Sequence, residues 1–535
     1  MEPVDKQFVF ERNILSLSKN DPALGSRLCS GVTTKGRYRF IPSRGGKTIP
    51  SLGDSLGGSH PLHSTIDPVH EAQKLLATAG TEGFLIFLGL GGGFAPEAAL
   101  DRAETKKIII IEFDLDGLAE LFCNCDYINL LQDGRVKLLA DSGAGEIARY
   151  ITNTYRPVLD GGIRVFPLRT RTETEKRFAA AGDEIKQAIE TVSRDYSVQA
   201  YFGKRWFFNI LQNLKKAEGP MKVITPVKEA AICAAGPSLD ESIGELKKNI
   251  CYIIATDTSL PVLLSRGIEP DAVISIDCQH IGYRHFAQGL PPRTTLFLNL
   301  SSPPAIASFS GAPFFFTSAH PLERYIKQTW RPLPFIDTSG ANVTYAAFSL
   351  ALELGAREIR IYGADFSYPY GKTYARGAYI YPYFENLSSR FSPLEALHSG
   401  FLYRDALVKH TTRNGFYYET PSLSFYRRAL LEKINSRFSL VSSREGIYHI
   451  RNNQSALSLF SPGPAGNSAV FLKKYRAGVA ALASFADSGG KNTLITTLLP
   501  LAAAIQKREP SLTPNGLFTA AKACALHKLD TLIHS

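Results

Sequence analysis

The sequence predicts an α/β protein with two doubly wound, Rossmann-like domains and a mainly helical C-terminal region. Three observations lead to this fold class. Short apolar segments alternate with helical segments twice along the chain, each alternation opens at a glycine-containing turn, and the pattern beyond residue 400 becomes helical. Such alternation is typical of parallel sheets whose crossover connections are helices.

The length predicts several domains, because 535 residues exceed what one hydrophobic core supports. We expect an irregular or β-rich N-terminal segment at 1–75 and a first Rossmann-like domain at 76–216. A second α/β domain is predicted at 217–400 and a mainly helical region at 401–535. Hydrophobic residues make up 44% of the chain and charged residues 20%, which excludes the composition of a disordered protein.

Composition also indicates where the protein acts. The N-terminal stretch MEPVDKQFVFERN carries charges where a signal peptide needs apolar residues, and no run of about 18 apolar residues occurs. The seven cysteines are an odd number without a zinc-type CxxC pair, so we expect reduced thiols. These features predict a cytoplasmic protein without membrane insertion.

The formal net charge of +11 raises the question of nucleic acid, because phosphate backbones attract clustered Lys and Arg. The basic residues are dispersed along this chain, so we expect no nucleic acid partner. A solvated basic surface is the plainer interpretation of the charge. Attraction of an anionic donor or an acidic partner is the alternative.

The first alternation contains a glycine-rich turn. The apolar run FLIFLGLGGG is followed by a helical stretch and by the strand KIIIIEFD. The glycines between Gly89 and Gly93, with Glu112 about 20 residues further on, resemble a dinucleotide or S-adenosylmethionine turn. Phe94 stands where the strict fingerprint has its last glycine. A purely structural turn is therefore kept as the alternative to a working nucleotide site.

The second alternation opens with the most informative segment. The strand AAICAAG leads into a tight Gly236-Pro237 turn and a helix that we expect Ser238 to cap, so free backbone N–H groups would face an anion. Two further predicted strands end at Asp257 and Asp277. Ligands of open α/β sheets bind beyond the carboxyl ends of the strands, so these residues are predicted to line one crevice. The carboxylates could bind a ribose, a base or a divalent metal, and their spacing does not decide which.

A third segment supplies further candidate residues for the same crevice. Ser339 and Gly340 precede a predicted helix whose first turn contains Asn342. The next strand leads to Asp365 and to a loop that we expect above the crevice. The aromatic and basic residues of this loop are Tyr368, Tyr370, Lys372 and Tyr374.

The order of these motifs resembles one family. GPSL, then ATD, GIEPD and SID, then LALELGAREI, GADFSY and GKTYA is similar to the central domain of the motility associated factor glycosyltransferases. The resemblance covers about residues 80–400 and includes the preceding glycine-rich domain. That family is similar to bacterial sialyltransferases and is implicated in placing nonulosonic acids on Ser or Thr of flagellin.

The resemblance implies a glycosyltransferase that moves a sialic-acid-like sugar from a CMP-activated donor to a flagellin-like acceptor protein. Gly236, Pro237 and Ser238 would face the donor phosphate, while Asp257 and Asp277 would lie at the nucleotide. The residues of the third segment would complete the donor site. No metal cofactor is required, because N–H groups and tyrosine hydroxyls could stabilise the leaving phosphate.

The implied catalytic residues are Asp277, Tyr374 and His398. Tyr374, in KTYA, resembles a sialyltransferase tyrosine that hydrogen-bonds the leaving phosphate. His398, in LHSGFLYRDAL, lies in a context similar to that of the general-base histidine. The chain departs from the family at Ala234, where glycine is usual, and at Tyr374, where many members have histidine.

Two other functions stay open. Archaeal 6-hydroxymethylpterin diphosphokinases of the MptE-like superfamily share the GPSL and paired-acid pattern. Such an enzyme would use Asp257 and Asp277 to hold Mg²⁺ for pyrophosphoryl transfer. The second alternative is a flagellin-binding protein without activity, which the two departures from the family pattern favour.

Overall fold

The chain divides by internal packing into two compact units, Met1–Gln199 and Ala200–Ser535, in the computed structural model. The residues that the structure describes are 6–30, 36–53, 58–168, 176–220, 224–248, 251–412, 415–444, 446–452, 466–485 and 493–534. The four-part division predicted from the sequence is finer than this and stays a prediction.

In the part of the chain that the structure describes, the strands fall into four sheets. Those of the first unit are β1 Tyr38–Pro42, β2 Thr48–Gly53, β3 Ser59–Pro61, β4 Phe84–Leu88, β5 Lys107–Glu112, β6 Val136–Ala140 and β7 Ile163–Pro167. Those of the second unit are β8 Glu229–Cys233, β9 Tyr252–Thr256, β10 Ala272–Ser275, β11 Thr295–Asn299, β12 Phe314–Phe316, β13 Glu358–Tyr362, β14 Tyr368–Pro369, β15 Val408–Thr412, β16 Gly415–Glu419, β17 Ser439–Arg444 and β18 Ile447–Arg451.

Helices connect the strands in both units. The helices of the first unit are Lys6–Asn20, Pro22–Cys29, Pro68–Ala77, Phe94–Leu100, Leu115–Asn124, Ile128–Gln132, Ala144–Thr154 and Pro157–Asp160. The long helix Lys176–Lys216 contains the point of division between the units. The remaining α-helices are Leu239–Leu246, Leu260–Ser265, Pro321–Thr329, Val343–Glu353, Ile380–Leu387, Leu394–Leu402, Pro421–Arg437, Ser468–Ala481, Thr493–Thr496, Leu499–Arg508 and Pro514–His534. Among the described residues, 3₁₀ helices span Asp257–Ser259, His280–Phe286 and Ile306–Phe309.

The first unit is built on a parallel sheet with the strand order β6-β5-β4-β7. Every residue of β4 is buried, because hydrophobic clusters cover both faces of the sheet. This explains why the sequence shows continuous apolar runs here instead of alternation. The chain winds outward from β4 in both directions, so the predicted doubly wound sheet is confirmed.

The N-terminal segment contains two helices in addition to the antiparallel sheet β1-β2-β3. Helix Lys6–Asn20 buries polar as well as apolar residues, which breaks the apolar period that would have predicted it. The buried Asn13 side chain donates hydrogen bonds to the carbonyl oxygens of Phe122 and Cys125. A polar residue thus fixes this helix to the rest of the first unit.

The second unit is built on an eight-stranded sheet with the order β12-β11-β10-β9-β8-β13-β18-β17. The six strands from β12 to β13 are parallel, and β18 and β17 continue the sheet in antiparallel pairing. The chain starts at β8, moves stepwise to β12 and then returns to the other side of β8. The second doubly wound domain is therefore confirmed, and its strand order reverses between β8 and β13.

The C-terminal region is mainly helical, as predicted, although it also supplies β17 and β18 to the large sheet. The smaller sheet β14-β16-β15 begins in the predicted loop after β13 and ends at Glu419. Helix Val343–Glu353, which is buried along most of its length, packs under β8, β9 and β10. Within the described part of the chain, the helices are too short or too polar to cross a membrane.

Candidate active site

The candidate site lies at the carboxyl edge of the large sheet, between β8 and β13. Strand order reverses at this point, which is where open α/β sheets place their ligands. Gly236 follows β8, and Asp365 follows β13. The backbone N–H of Gly236 donates to the carbonyl oxygen of Gly363 at 2.8 Å, so the two strand ends are joined directly.

The Gly236-Pro237-Ser238 turn is filled by the carboxylate of Asp365. Asp365 Oδ2 accepts hydrogen bonds from the backbone N–H of Ser238 at 3.2 Å and from its hydroxyl at 2.9 Å. Burial raises the pKa of Asp365 to about 6, although the two hydrogen bonds from Ser238 oppose this rise. The predicted anion site therefore holds an anion that belongs to the chain itself.

The expected capping role of Ser238 is corrected by this arrangement. Its hydroxyl bonds Asp365, and it makes no capping hydrogen bond to helix Leu239–Leu246. The N–H groups of Leu239 and Asp240 also have acceptors within the chain, the carbonyl oxygens of Gly236 and Pro237. A donor phosphate at this turn would have to displace Asp365, so phosphate binding here stays a prediction.

Asp257 is buried beneath the crevice, and both of its carboxylate oxygens accept hydrogen bonds from within the chain. Its Oδ1 accepts from the backbone N–H of Thr258 at 2.7 Å and from the Thr258 hydroxyl at 3.1 Å. Its Oδ2 accepts from the hydroxyl of Ser275 on the neighbouring strand at 2.7 Å. With three donors already bound, Asp257 offers little capacity for a ligand.

Asp277 follows β10 and is more available than Asp257. Its Oδ1 accepts from the backbone N–H of Gln279 at 2.9 Å, and its side chain is only partly exposed. Burial raises the pKa of the Asp277 carboxyl, and the nearby charge of Asp257 raises it further. In the described residues, no group of three or more His, Cys, Asp and Glu side chains could hold a metal ion.

The loop after β13 closes over the turn after β8, as the sequence analysis expected. The N–H of Ala375 donates to the carbonyl oxygen of Ala235 at 2.9 Å, and the N–H of Arg376 donates to Asp240 at 3.0 Å. The carbonyl oxygen of Tyr374 accepts a hydrogen bond from the Tyr381 hydroxyl at 3.0 Å. Tyr374 is thereby held at the crevice.

Tyrosines surround the crevice next to Tyr374. Burial raises the pKa of Tyr374 well above its ordinary value, and Tyr379 and Tyr368 add to the rise. The phenol groups are therefore protonated at neutral pH and available as hydrogen-bond donors.

Arg404 brings a positive charge to these tyrosines and was missed by the sequence analysis. Its guanidinium lowers the pKa of Tyr368, Tyr374 and Tyr379 against the stronger effect of burial. The guanidinium carbon lies 3.7 Å from the centre of the Phe401 ring, which fixes the side chain by a cation–π contact. The motif LYRDAL contains this arginine, but nothing in its local pattern indicates the tyrosine cluster.

Ser339, Gly340 and Asn342 form a network that holds the start of helix Val343–Glu353. Asn342 Oδ1 accepts from the N–H of Tyr345 at 2.9 Å, and Asn342 Nδ2 donates to the carbonyl oxygen of Gly340 at 2.9 Å. Ser339 pairs with the hydroxyl of Tyr345 at 3.1 Å. These contacts are within the chain, and a donor-binding role for the three residues stays a prediction.

The remaining predicted residues lie around the aromatic loop. His398 is half-buried, and its ring packs against Tyr381 at 5.4 Å and Phe384 at 4.9 Å between centroids. Tyr370 and Lys372 are exposed, and the N–H of Tyr370 pairs with β16 through Phe416. His398 therefore packs against the aromatic side chains of Tyr381 and Phe384, and its role as the general base stays a prediction.

The glycine-rich turn of the first unit is also filled from within the chain. His63 Nε2 accepts a hydrogen bond from the N–H of Gly92 at 2.8 Å, and the Tyr127 hydroxyl donates to the carbonyl oxygen of Gly91. Burial lowers the pKa of His63 to about 4, so the imidazole is a neutral acceptor at neutral pH. These contacts favour the structural interpretation of the turn, and ligand binding there stays a prediction.

Comparison with known proteins identifies relatives of the region that contains this crevice. Residues 207–371, which include β8 to β13, match the family described as 6-hydroxymethylpterin diphosphokinase MptE-like. An uncharacterized Treponema pallidum protein is 32% identical over 166 residues, which are 30% of this chain and 78% of that protein. The chain belongs to the MptE-like family. A second uncharacterized Treponema pallidum protein is 37% identical to this MptE-like chain over 138 residues, which are 25% of the chain and 49% of the relative.

The fold similarity extends beyond the MptE-like region. A solved structure described as the MAf glycosyltransferase from Magnetospirillum magneticum AMB-1 superposes with a TM-score of 0.60 at 16% identity. The superposition covers 98% of this MptE-like chain and 91% of the glycosyltransferase chain. The family resemblance and the fold class inferred from the sequence are confirmed.

Proposed function

We propose that this protein is a glycosyltransferase that moves a nonulosonic sugar from a CMP-activated donor to Ser or Thr of a flagellin-like acceptor. The proposal is supported by the carboxyl edge of the large sheet, where the loop that carries Tyr374 is hydrogen-bonded to the turn after β8 and where the charges of Asp277 and Arg404 both act on Tyr379. Fold similarity to a MAf glycosyltransferase over nearly the whole chain supports the same class of reaction.

The proposed reaction is a direct displacement at the anomeric carbon. The acceptor hydroxyl attacks this carbon while the bond to the donor phosphate breaks and its electron pair leaves with CMP. The Arg404 guanidinium and the Tyr374 hydroxyl would stabilise the charge that develops on the phosphate. No metal is required on this proposal, and the acceptor would meet the enzyme in the cytoplasm.

The Asp365 carboxylate occupies the place that we propose for the donor phosphate. In the free protein it satisfies the N–H and hydroxyl of Ser238, which would otherwise face the crevice without an acceptor. A donor phosphate offers the same acceptor chemistry with more charge. We therefore propose that donor binding replaces the Asp365 contact by a phosphate contact.

The second candidate function is a Mg²⁺-dependent diphosphokinase, which the description of the matched family favours. It would need Asp257 and Asp277 as metal ligands. Asp257 already accepts three hydrogen bonds, so the pair fits a shared Mg²⁺ poorly. No step of the proposed transfer reaction involves a metal ion.

Binding of CMP, ATP and GTP by calorimetry, with and without Mg²⁺, distinguishes these functions. We expect selective CMP binding that survives chelation and weakens about tenfold in Tyr374→Phe. Tyr201→Phe is the matched control, because Tyr201 is exposed on helix Lys176–Lys216. ATP binding that requires Mg²⁺ would instead support the diphosphokinase. Failure to bind any nucleotide, with flagellin binding unchanged in Asp277→Asn, would leave a binding protein without activity.

A further inference from the structure

His285 is a buried histidine that has no role in the reaction as described so far. His285 is 8% exposed, and its Nδ1 atom lacks a hydrogen-bond partner within the described residues. A buried polar atom without a hydrogen-bond partner is destabilising, so a protein retains one only where something compensates for it. Functional sites are one setting in which such atoms are retained.

The fold brings His285 to the candidate active site. It lies on the 3₁₀ helix His280–Phe286, which begins three residues after Asp277 and packs against the 3₁₀ helix Asp257–Ser259. The rings of His285 and Tyr379 meet edge to face with centroids 4.7 Å apart. His285 therefore lies between the end of β10 and the loop that carries Tyr374.

Asp277 and His285 interact electrostatically. The His285 imidazole lowers the pKa of Asp277 against the stronger effect of burial. In a proton transfer, a carboxylate beside an imidazole stabilises the positive charge that the ring acquires when it takes the proton. Tyr379 and Asp257 are titratable groups on elements packed around it, and Arg284 of the same 3₁₀ helix lies 4.0 Å from the centre of the Tyr383 ring.

We propose that His285 is the general base of the transfer reaction and that Asp277 supports its protonated form. The inference rests on the proposed glycosyltransferase function. In the transfer step an imidazole nitrogen takes the proton of the acceptor hydroxyl, and the hydroxyl oxygen forms a bond to the anomeric carbon. The bond from that carbon to the phosphate oxygen breaks, and CMP leaves with the electron pair.

His398 is the alternative candidate for the general base, because the family resemblance implies that role for it. The His398 ring contacts Tyr381 and Phe384, whereas His285 lies on the 3₁₀ helix that follows Asp277 and contacts Tyr379. A base needs a carboxylate partner more than it needs aromatic packing, since the carboxylate stabilises the charge that the ring acquires. The geometry thus favours His285.

The test compares three histidine variants of the full chain. CMP release from CMP-N-acetylneuraminic acid, with water as acceptor, is measured for wild type, His285→Ala, His398→Ala and His280→Ala. Calorimetric binding of CMP and a melting curve are recorded for each variant. His280 is the matched control, because it is exposed at the start of the same 3₁₀ helix.

We expect His285→Ala to release CMP about 100-fold more slowly, with CMP affinity unchanged, because general bases contribute 10²–10⁴-fold. Added imidazole should restore part of this rate, which a merely structural defect would not permit. His280→Ala should match wild type.

Two results would overturn the assignment. If wild type turns over and His285→Ala stays within about threefold of it, or if only His398→Ala is slow, the base is not His285. If wild type neither binds CMP nor releases it from this donor, the proposed function fails and the base assignment fails with it. CMP binding by wild type therefore separates the two failures.

Discussion

Asp365 and His63 occupy corresponding places in the two sheets. Each side chain fills the turn that follows the first central strand of its sheet, and each accepts a hydrogen bond from a backbone N–H of that turn. They differ in charge, since His63 is neutral at neutral pH and Asp365 is an anion. The turn of the second unit is therefore the one that accommodates a negatively charged group in the free protein.

The pH dependence of stability tests the state of Asp365. Its pKa is raised by burial to about 6 from 3.8, so the folded protein holds this proton more tightly than the unfolded chain. The stability that protonation contributes is present below about pH 4 and is lost as pH rises through about 6. Asp365→Asn cannot lose a proton, so its stability relative to wild type should increase by about 3 kcal/mol over this window.

Urea denaturation of both proteins at about pH 4.5 and about pH 7.5 should show about 2 kcal/mol of this difference, because part of it is already lost at pH 4.5. Glu323, whose pKa burial raises to about 7, is present in both proteins and cancels in the comparison. Equal pH dependence in the variant and in wild type would contradict the buried, hydrogen-bonded state of Asp365.

At the scale of elements, the contact between the turn after β8 and the loop after β13 depends on glycine. A Cβ placed on Gly236 would overlap Asp365 Oδ2 and the carbonyl oxygen of Gly363. The Gly363 oxygen belongs to the backbone and accepts the hydrogen bond from Gly236, so it cannot move away without separating the two strand ends. The two central strands can meet at this distance only because position 236 has no side chain.

Gly236→Ala is therefore expected to destabilise the fold by about 1–3 kcal/mol through overpacking. Gly244→Ala is the matched control, because a Cβ at Gly244 meets nothing within 4 Å and the position lies inside helix Leu239–Leu246. Alanine there should stabilise the helix by about 1 kcal/mol. Thermal or urea unfolding of both variants checks the prediction, and similar changes for the two glycines would count against it.

At the scale of the whole molecule, the net charge bears on the class of ligand. The chain carries a formal charge of +11, and the proposed donor is an anion. Long-range attraction between them is screened by salt, because the Debye length shortens as ionic strength rises. We therefore expect the charge to favour binding of the proposed donor without specifying a site.

CMP affinity is expected to weaken several-fold between about 50 mM and about 300 mM NaCl. Cytidine, which lacks the phosphate, is the matched control and should show little salt dependence. Calorimetric titrations of both ligands check this. If both affinities responded equally, the positive charge would have no part in recognising the phosphate.

Sequence pattern and tertiary structure determined different properties of this protein. Apolar strand runs, glycine turns and motif order are local features, so they were sufficient for the fold class, the family and the positions of Asp277 and Tyr374 at one sheet edge. Only the tertiary structure revealed that Asp365 fills the turn at Ser238, 127 positions earlier in the chain. It likewise revealed His285 and Arg404, because contacts between side chains far apart in sequence depend on strand order and loop paths, which local patterns do not encode.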